Sequence, residues 1–256
     1  MASGRVFSLF LRRGKTRAND LGRMTLGELV VAYATYPSVL LYAALAVGCG
    51  TGSVMLGAAQ APFRTLAALA ATIVIFPFYE YALHRFVLHN RTLYKHPLTA
   101  DVWKRIHYDH HQDPNRLDVL FGSPSNTLLA VFAPSLPVGY LIGGWSAALA
   151  AAALALMLFA FYEFCHCVQH LHYTPGSAWL RRIKKHHMAH HFHNETGNFG
   201  ITSNLVDRMV GTLYEDGATK PRSVHVYDLG YDATEAARYP WVAERSRPAP
   251  DKASAG

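Results

Sequence analysis

Charge is scarce in this 256-residue chain, and cysteine is scarcer still. Charged residues make up 16% of it, and its three cysteines are Cys49, Cys165 and Cys167. So few cysteines exclude a disulfide framework. The shortage of charge is concentrated: no charged side chain falls between residues 29 and 55, 66 and 79, or 127 and 162. A soluble helical domain is excluded by such stretches, because its long helices keep a polar face. No short apolar core with a small-residue cleavage site follows the basic start, which argues against a removable signal peptide and for a retained tail.

What is present fits a membrane. The chain is 51% hydrophobic, and a membrane-crossing helix needs about 20 mostly apolar residues. The expected fold class is all-α: an integral membrane protein with about four transmembrane helices, at 29–55, 62–83, 126–142 and 145–165. The last two form a hairpin turning near Gly143, Gly144 and Trp145. Residues 1–25 form a basic tail, 26–214 the membrane domain with a helical cap, and 215–256 a polar tail whose end, 246–256, is disordered. The net charge of +7 is uneven, with Arg5, Arg12, Arg13, Lys15, Arg17 and Arg23 near the start and Arg181, Arg182, Lys184 and Lys185 further on. Both groups flank spans, so the positive-inside tendency places both in the cytoplasm, with an even number of crossings between them. That placement points to a membrane surface and not to nucleic acid.

Ten of the fifteen histidines fall in four short runs. They are His84 with His89; His107 with His110 and His111; His166 with His170; and His187 with His190 and His191. Each run lies at or beyond the end of an expected span, and the topology delivers all four to one side. Imidazole is the commonest nitrogen ligand for iron, copper and zinc. Residues three or four apart share a helix face, so each triplet can offer its imidazoles to one cavity. His84 and His89 are five apart and diverge by about 140° on an α-helix, so that pair serves two metals or straddles a helix end. Two metal ions are expected to share the cluster. Glu80 and Glu163 each follow a Phe-Tyr pair one turn before a histidine run, at Phe78-Tyr79 and Phe161-Tyr162. Ligating imidazoles commonly donate their other N–H to a carboxylate, which makes both acids candidates to stand behind the ligands. His172 and His193 are further outer candidates, while Cys165 and Cys167 read as packing residues.

The order His-x4-His, His-x2-His-His, His-x3-His, His-x2-His-His resembles the fatty acid hydroxylase and sterol desaturase superfamily of membrane di-metal oxygenases. The similarity runs from about Pro77 to Tyr214. It includes the stretch from His190 through Gly197, Asn198, Phe199, Gly200, Ile201 and Thr202, and that from Asp207 to Leu213. In spacing it is most similar to fatty acid 2-hydroxylases. The resemblance implies that residues 26–214 are a membrane catalytic domain whose ten run histidines are the ligands of a di-iron centre, in which zinc can replace iron. It implies oxidation of a lipid acyl chain by O₂. The His-Pro-Gly-Gly mark of a fused cytochrome b5-like domain is missing, so electrons are expected from a separate donor, cytochrome b5-like or ferredoxin-type. Phe78, Tyr81, Phe86, Phe161 and Phe164 are candidate walls for the acyl chain. A sterol or carotenoid hydroxylase or desaturase of the same superfamily stays open. A metal transporter does too, although its ligands belong near the membrane midplane.

Overall fold

Thr25 opens the first helix. Its hydroxyl accepts the Glu28 N–H while the Glu28 carboxylate accepts the Thr25 N–H at 2.8 Å, so two otherwise orphaned donors are satisfied at once. The computed structural model describes residues 20–215 and 217–246. Among these the chain is helical, without strands beyond an isolated bridge between Asp20 and Arg116. Helix α1 (Leu26–Ala34) stops short of Pro37, which opens α2 (Pro37–Met55). A residue preceding proline is pushed out of helical geometry, so the stretch expected as one span at 29–55 is two helices. Helix α3 (Pro62–Ala82) again begins at a proline and runs into a π-helical segment, Leu83–Leu88.

Helix α4 (Pro97–Trp103) continues through a second π segment, Lys104–Tyr108, into the single turn Asp109–Gln112. The long α5 (Pro124–His170) is interrupted at Gly143 and Gly144, the latter at φ 70° and ψ −162°. Only glycine takes that conformation without steric cost. Residues equally far from the break meet: a Cβ on Gly139 would lie 2.6 Å from the Ala148 Cα, and Val131 clusters with Ala155 and Leu156. Helix α5 therefore folds back as an antiparallel hairpin. Ser53 and Ser146 tie α2 to its turn, each hydroxyl donating to the other's carbonyl, at 2.7 and 3.1 Å.

Three helical stretches are long and apolar enough to cross a membrane: Pro37–Met55, Pro62–Lys95 and Leu117–His170. Large apolar side chains on them face outward, Phe63 at 85% and Leu141 at 84% exposure, as lipid contact requires and water does not favour. The remaining elements, α6 (Ala178–Phe192), α7 (Leu205–Val210), α8 (Ala233–Arg238) and α9 (Trp241–Ser246), assemble with α4 beyond the ends of α3 and α5. There Tyr94, Trp103, Leu229, Tyr231 and Val242 form a separate apolar cluster. The segment expected as a polar tail is thus folded over residues 217–246. Its apolar residues lack periodicity because they project from loops and short helices. The basic start as far as residue 19 and the end from 247 lie outside the described residues.

Candidate metal centre

The four histidine runs sit where helices change character. His84 lies inside the π segment after α3 and His89 caps it, and the backbone N–H of His89 bonds to the carbonyl of His84 itself at 3.1 Å. A π turn closes at i+5 instead of i+4, so residues five apart come onto one face. The two rings meet with centroids 5.0 Å apart instead of diverging as α-helical geometry suggested, and the pair straddles a helix end, one of the two readings its spacing allowed. His107 lies within the second π segment, and His166 and His170 end α5. His187, His190 and His191 occupy the last turns of α6.

All ten rings converge, in two adjoining groups. Ligand atoms of His110, His166, His170, His187 and His191 lie within 4.8 Å of one another, as do those of His84, His89, His107 and His190. His111 stands between the groups, its ring 4.2 Å from that of His191 and its Nε2 3.1 Å from that of His107. Each triplet is therefore divided between the groups instead of serving one cavity. His107 falls in one group and His110 in the other, and His190 is likewise parted from His187 and His191, because the approach of the two segments to the nest and not their spacing decides which side each ring reaches.

The donor set fits metal ions. His107 Nε2 lies 2.8 Å from His89 Nε2 and 3.3 Å from His84 Nε2, and His170 Nε2 lies 2.9 Å from His187 Nε2. Two neutral nitrogens at such a distance share at most one proton, and His107 cannot satisfy three neighbours with one. Ligand nitrogens on a single ion, with bonds of about 2.0–2.1 Å, are about 3 Å apart when at right angles. Cations would also meet buried nitrogens that have no other partner among the described residues: His110 Nδ1 and Nε2, His166 Nε2, His190 Nε2, and both nitrogens of His191.

Burial keeps these imidazoles neutral. It lowers the pKa of His107, His110, His187, His190 and His191 well below 6.5, and neighbouring imidazoles lower it further. His111 is lowered to about 3, chiefly by burial and against the opposing pull of the Val226 carbonyl. Neutral imidazole is the form that binds metal. Three rings have their tautomer set by a backbone carbonyl. His84 Nδ1 donates to Phe199 at 2.5 Å, His190 Nδ1 to Gly197 at 2.8 Å and His111 Nδ1 to Val226 at 2.7 Å. A carbonyl only accepts, so Nδ1 carries the proton and Nε2 is left to face the nest.

The groups expected behind the ligands do otherwise. Glu80 is buried, but its carboxylate accepts the N–H groups of Ile201 and Thr202 and the Thr202 hydroxyl, with no histidine among its bonds. Glu163 is 3% exposed, and its Oε2 has no partner among the described residues. It lies near Tyr33 of α1 and Tyr42 of α2. His172 is exposed on the loop after α5. His193 Nε2 donates to the Lys220 carbonyl at 2.6 Å, fastening the C-terminal segment and not the nest. Cys165 and Cys167 are buried, and neither belongs to a histidine group; Cys167 packs with Leu21, Val168 and Leu171. The orienting carbonyls were missed in the sequence, since every residue carries one. The only signal was the Gly-Asn-Phe-Gly run itself: a Cβ on Gly200 would lie 1.9 Å from the Ser203 carbonyl oxygen, so the loop is held too tightly for any other residue.

An all-helical membrane protein with a buried, histidine-lined site able to hold metal ions is the class this fold and site define. The chain belongs to the fatty acid hydroxylase family, which matches residues 69–212, more than half of its length. It is 31% identical over 175 residues to a dihydroceramide fatty acyl 2-hydroxylase of Arabidopsis thaliana, covering 68% of this chain and 71% of the relative. It is 28% identical over 160 residues to the ceramide very long chain fatty acid hydroxylase of Saccharomyces cerevisiae, covering 61% of this chain but 40% of that protein. Among solved structures it is similar to full-length Scs7p, in which only the hydroxylase domain is visible. The TM-score is 0.50 at 25% identity, over 79% of this chain and 71% of that one.

Proposed function

We propose that the protein hydroxylates the acyl chain of a membrane lipid, using O₂ and electrons from a separate donor, cytochrome b5-like or ferredoxin-type. The observation that carries this reading is the convergence of ten histidines, nine of them buried, into two adjoining groups bridged by His111 at the ends of membrane-length helices. Two iron ions would be held there by His84, His89, His107, His110, His111, His166, His170, His187, His190 and His191, with His111 between them. Bound iron supplies the activation of O₂ that attack on an unreactive C–H bond needs; zinc would fit the same nitrogens without redox chemistry. The named relatives act on dihydroceramide and ceramide acyl chains, which makes an amide-linked acyl chain the substrate class to test first.

The chain's own residues orient and exclude. Phe199, Gly197 and Val226 carbonyls hold three imidazoles in place, and burial keeps bulk water from the nest. An apolar crevice between α3 and both limbs of α5, lined by Thr72, Phe76, Tyr79, Val131, Ser135 and Phe159, suits a hydrocarbon tail. Its hydroxyls are already spent: Thr72 donates to Ala68, Ser135 to Val131 and Tyr79 to Ala130. From the crevice, Phe159 stacks on Tyr162 at 5.5 Å, and Tyr162 lies 6.1 Å from His166. None of the aromatics expected as walls lines this crevice. Phe78, Phe86 and Phe161 face outward, Tyr81 packs on Phe199, and Phe164 packs against the core beside Tyr33.

Four crossings, with the α5 hairpin counted as two, leave the nest and the N-terminus on the cytoplasmic side, as the basic residues before Thr25 and on α6 favour. Midspan ligands, the mark of a transporter, are not the arrangement here, since every group sits at a helix end. The test is lipid analysis of cells expressing the protein or its His187→Ala variant. New hydroxylated acyl chains with the first and none with the second are expected; identical lipid profiles would end the proposal.

A further inference from the structure

The loop that follows the last histidine run is held by two buried carboxylates to which no role is yet attached. Asp207, at the start of α7, is fully buried. Its Oδ1 accepts the Phe199 N–H at 2.9 Å and the Thr212 hydroxyl at 2.7 Å, and its Oδ2 accepts the Gly200 N–H at 2.7 Å. Glu80, on α3, takes the next two N–H groups, those of Ile201 and Thr202, with the Thr202 hydroxyl on its other oxygen. Four consecutive N–H groups thus end on two acids, from two different helices, in a site closed to water. A buried N–H left without an acceptor is costly, so the four bonds hold the loop in one shape.

What the clamp fixes is the Phe199 carbonyl. It points at His84 Nδ1, and the Phe199 ring packs 5.3–5.6 Å from the rings of His84, His89 and His190, three of the four members of one group. In the five-histidine group, Nδ1 of His110, His170, His187 and His191 has no hydrogen-bond partner among the described residues. We propose that Glu80 and Asp207 are positioning residues for the four-histidine group alone, setting its metal affinity through the 199–202 loop. This rests on the metal-binding reading above and deepens it. The two prospective metal sites are unequal, one aligned in advance by the protein and one shaped by the metal's own demands.

The experiment uses the full chain in detergent, stripped of metal and titrated with cobalt(II), which is read by its visible absorption and by metal per chain. Wild type is expected to take two cobalt ions. Asp207→Asn and Glu80→Gln keep shape but replace one accepting oxygen with an NH₂ donor. Each is expected to retain one site at unchanged affinity and to bind the second 10–100-fold more weakly, the usual cost of losing an outer partner. Their residual spectrum should match that of His84→Ala and differ from that of His187→Ala. Thr202→Val, which removes one bond to Glu80 and leaves both acids in place, should weaken the same site several-fold; it carries the test if the acid variants fail to fold. Two sites weakened alike in a folded variant, or two sites unchanged, would overturn the positioning role. A wild-type chain that bound no cobalt would overturn the metal centre itself, an outcome distinct from either.

Discussion

The two histidine groups are built from the same residue type and lie against each other, yet they are supported differently. The group of His84, His89, His107 and His190 is joined to backbone carbonyls and, through the 199–202 loop, to Glu80 and Asp207. The group of His110, His166, His170, His187 and His191 is packed ring against ring, at centroid separations such as 4.5 Å for His110 with His166, and bonds of that kind are missing from it among the described residues. The difference follows from where the chain supplies polar backbone. The loop after α6 brings the Gly197 and Phe199 carbonyls to His190 and His84, both of the four-histidine group. Identical ligands can therefore make sites of unequal rigidity.

The largest effect expected from breaking this pair comes from its members. His84→Ala and His187→Ala should each remove one metal ion per chain and lower hydroxylation more than 100-fold, read by metal analysis and product formation. Next is Gly200→Ala. Its added Cβ would sit 1.9 Å from the Ser203 carbonyl oxygen, and overpacking against backbone costs about 1–3 kcal/mol. Reduced thermal stability, with the four-histidine site emptied first, is the expected outcome. Ser135→Phe should fill the crevice between α3 and α5 and leave both groups intact. Its kcat/KM for long acyl chains should fall about 10-fold relative to short ones, in keeping with the 1–3 kcal/mol that small shape changes in apolar pockets command, while metal content stays at the wild-type level.

The smallest effect concerns acidity. Burial lowers the pKa of His107, His110, His187 and His191 well below 6.5. A group whose folded pKa is depressed gains protons on unfolding, so the metal-free protein should lose stability as pH falls below about 6.5. Over the same range protons compete weakly for the folded site. Metal should accordingly stay bound somewhat below pH 6.5, measured by dialysis at stepped pH; complete release between pH 7 and 6 would contradict the burial.

Much of this was legible in the residues. Uncharged stretches marked the long helices, Gly143 and Gly144 marked the hairpin, and the four histidine runs named every ring that converges. The family resemblance rested on those same runs and is matched over residues 69–212. What was hidden has physical causes. Reading His84 and His89 at 3.6 residues per turn separated two rings that a π turn brings together. The division of each triplet between groups depends on how α4 and α6 approach the nest, which local spacing does not encode. Glu80 was singled out for its place one turn before His84, but it reaches the 199–202 loop, more than a hundred residues away. Val226, whose carbonyl orients His111, lies in a stretch without pattern.

Metal per chain in protein purified anaerobically from iron-supplied cells is the most direct measurement. Two iron ions in wild type, and one in each of His84→Ala and His187→Ala, is the predicted result. A folded wild-type protein that holds no iron, or keeps the same number in all three, would contradict two adjoining histidine-bound metal sites.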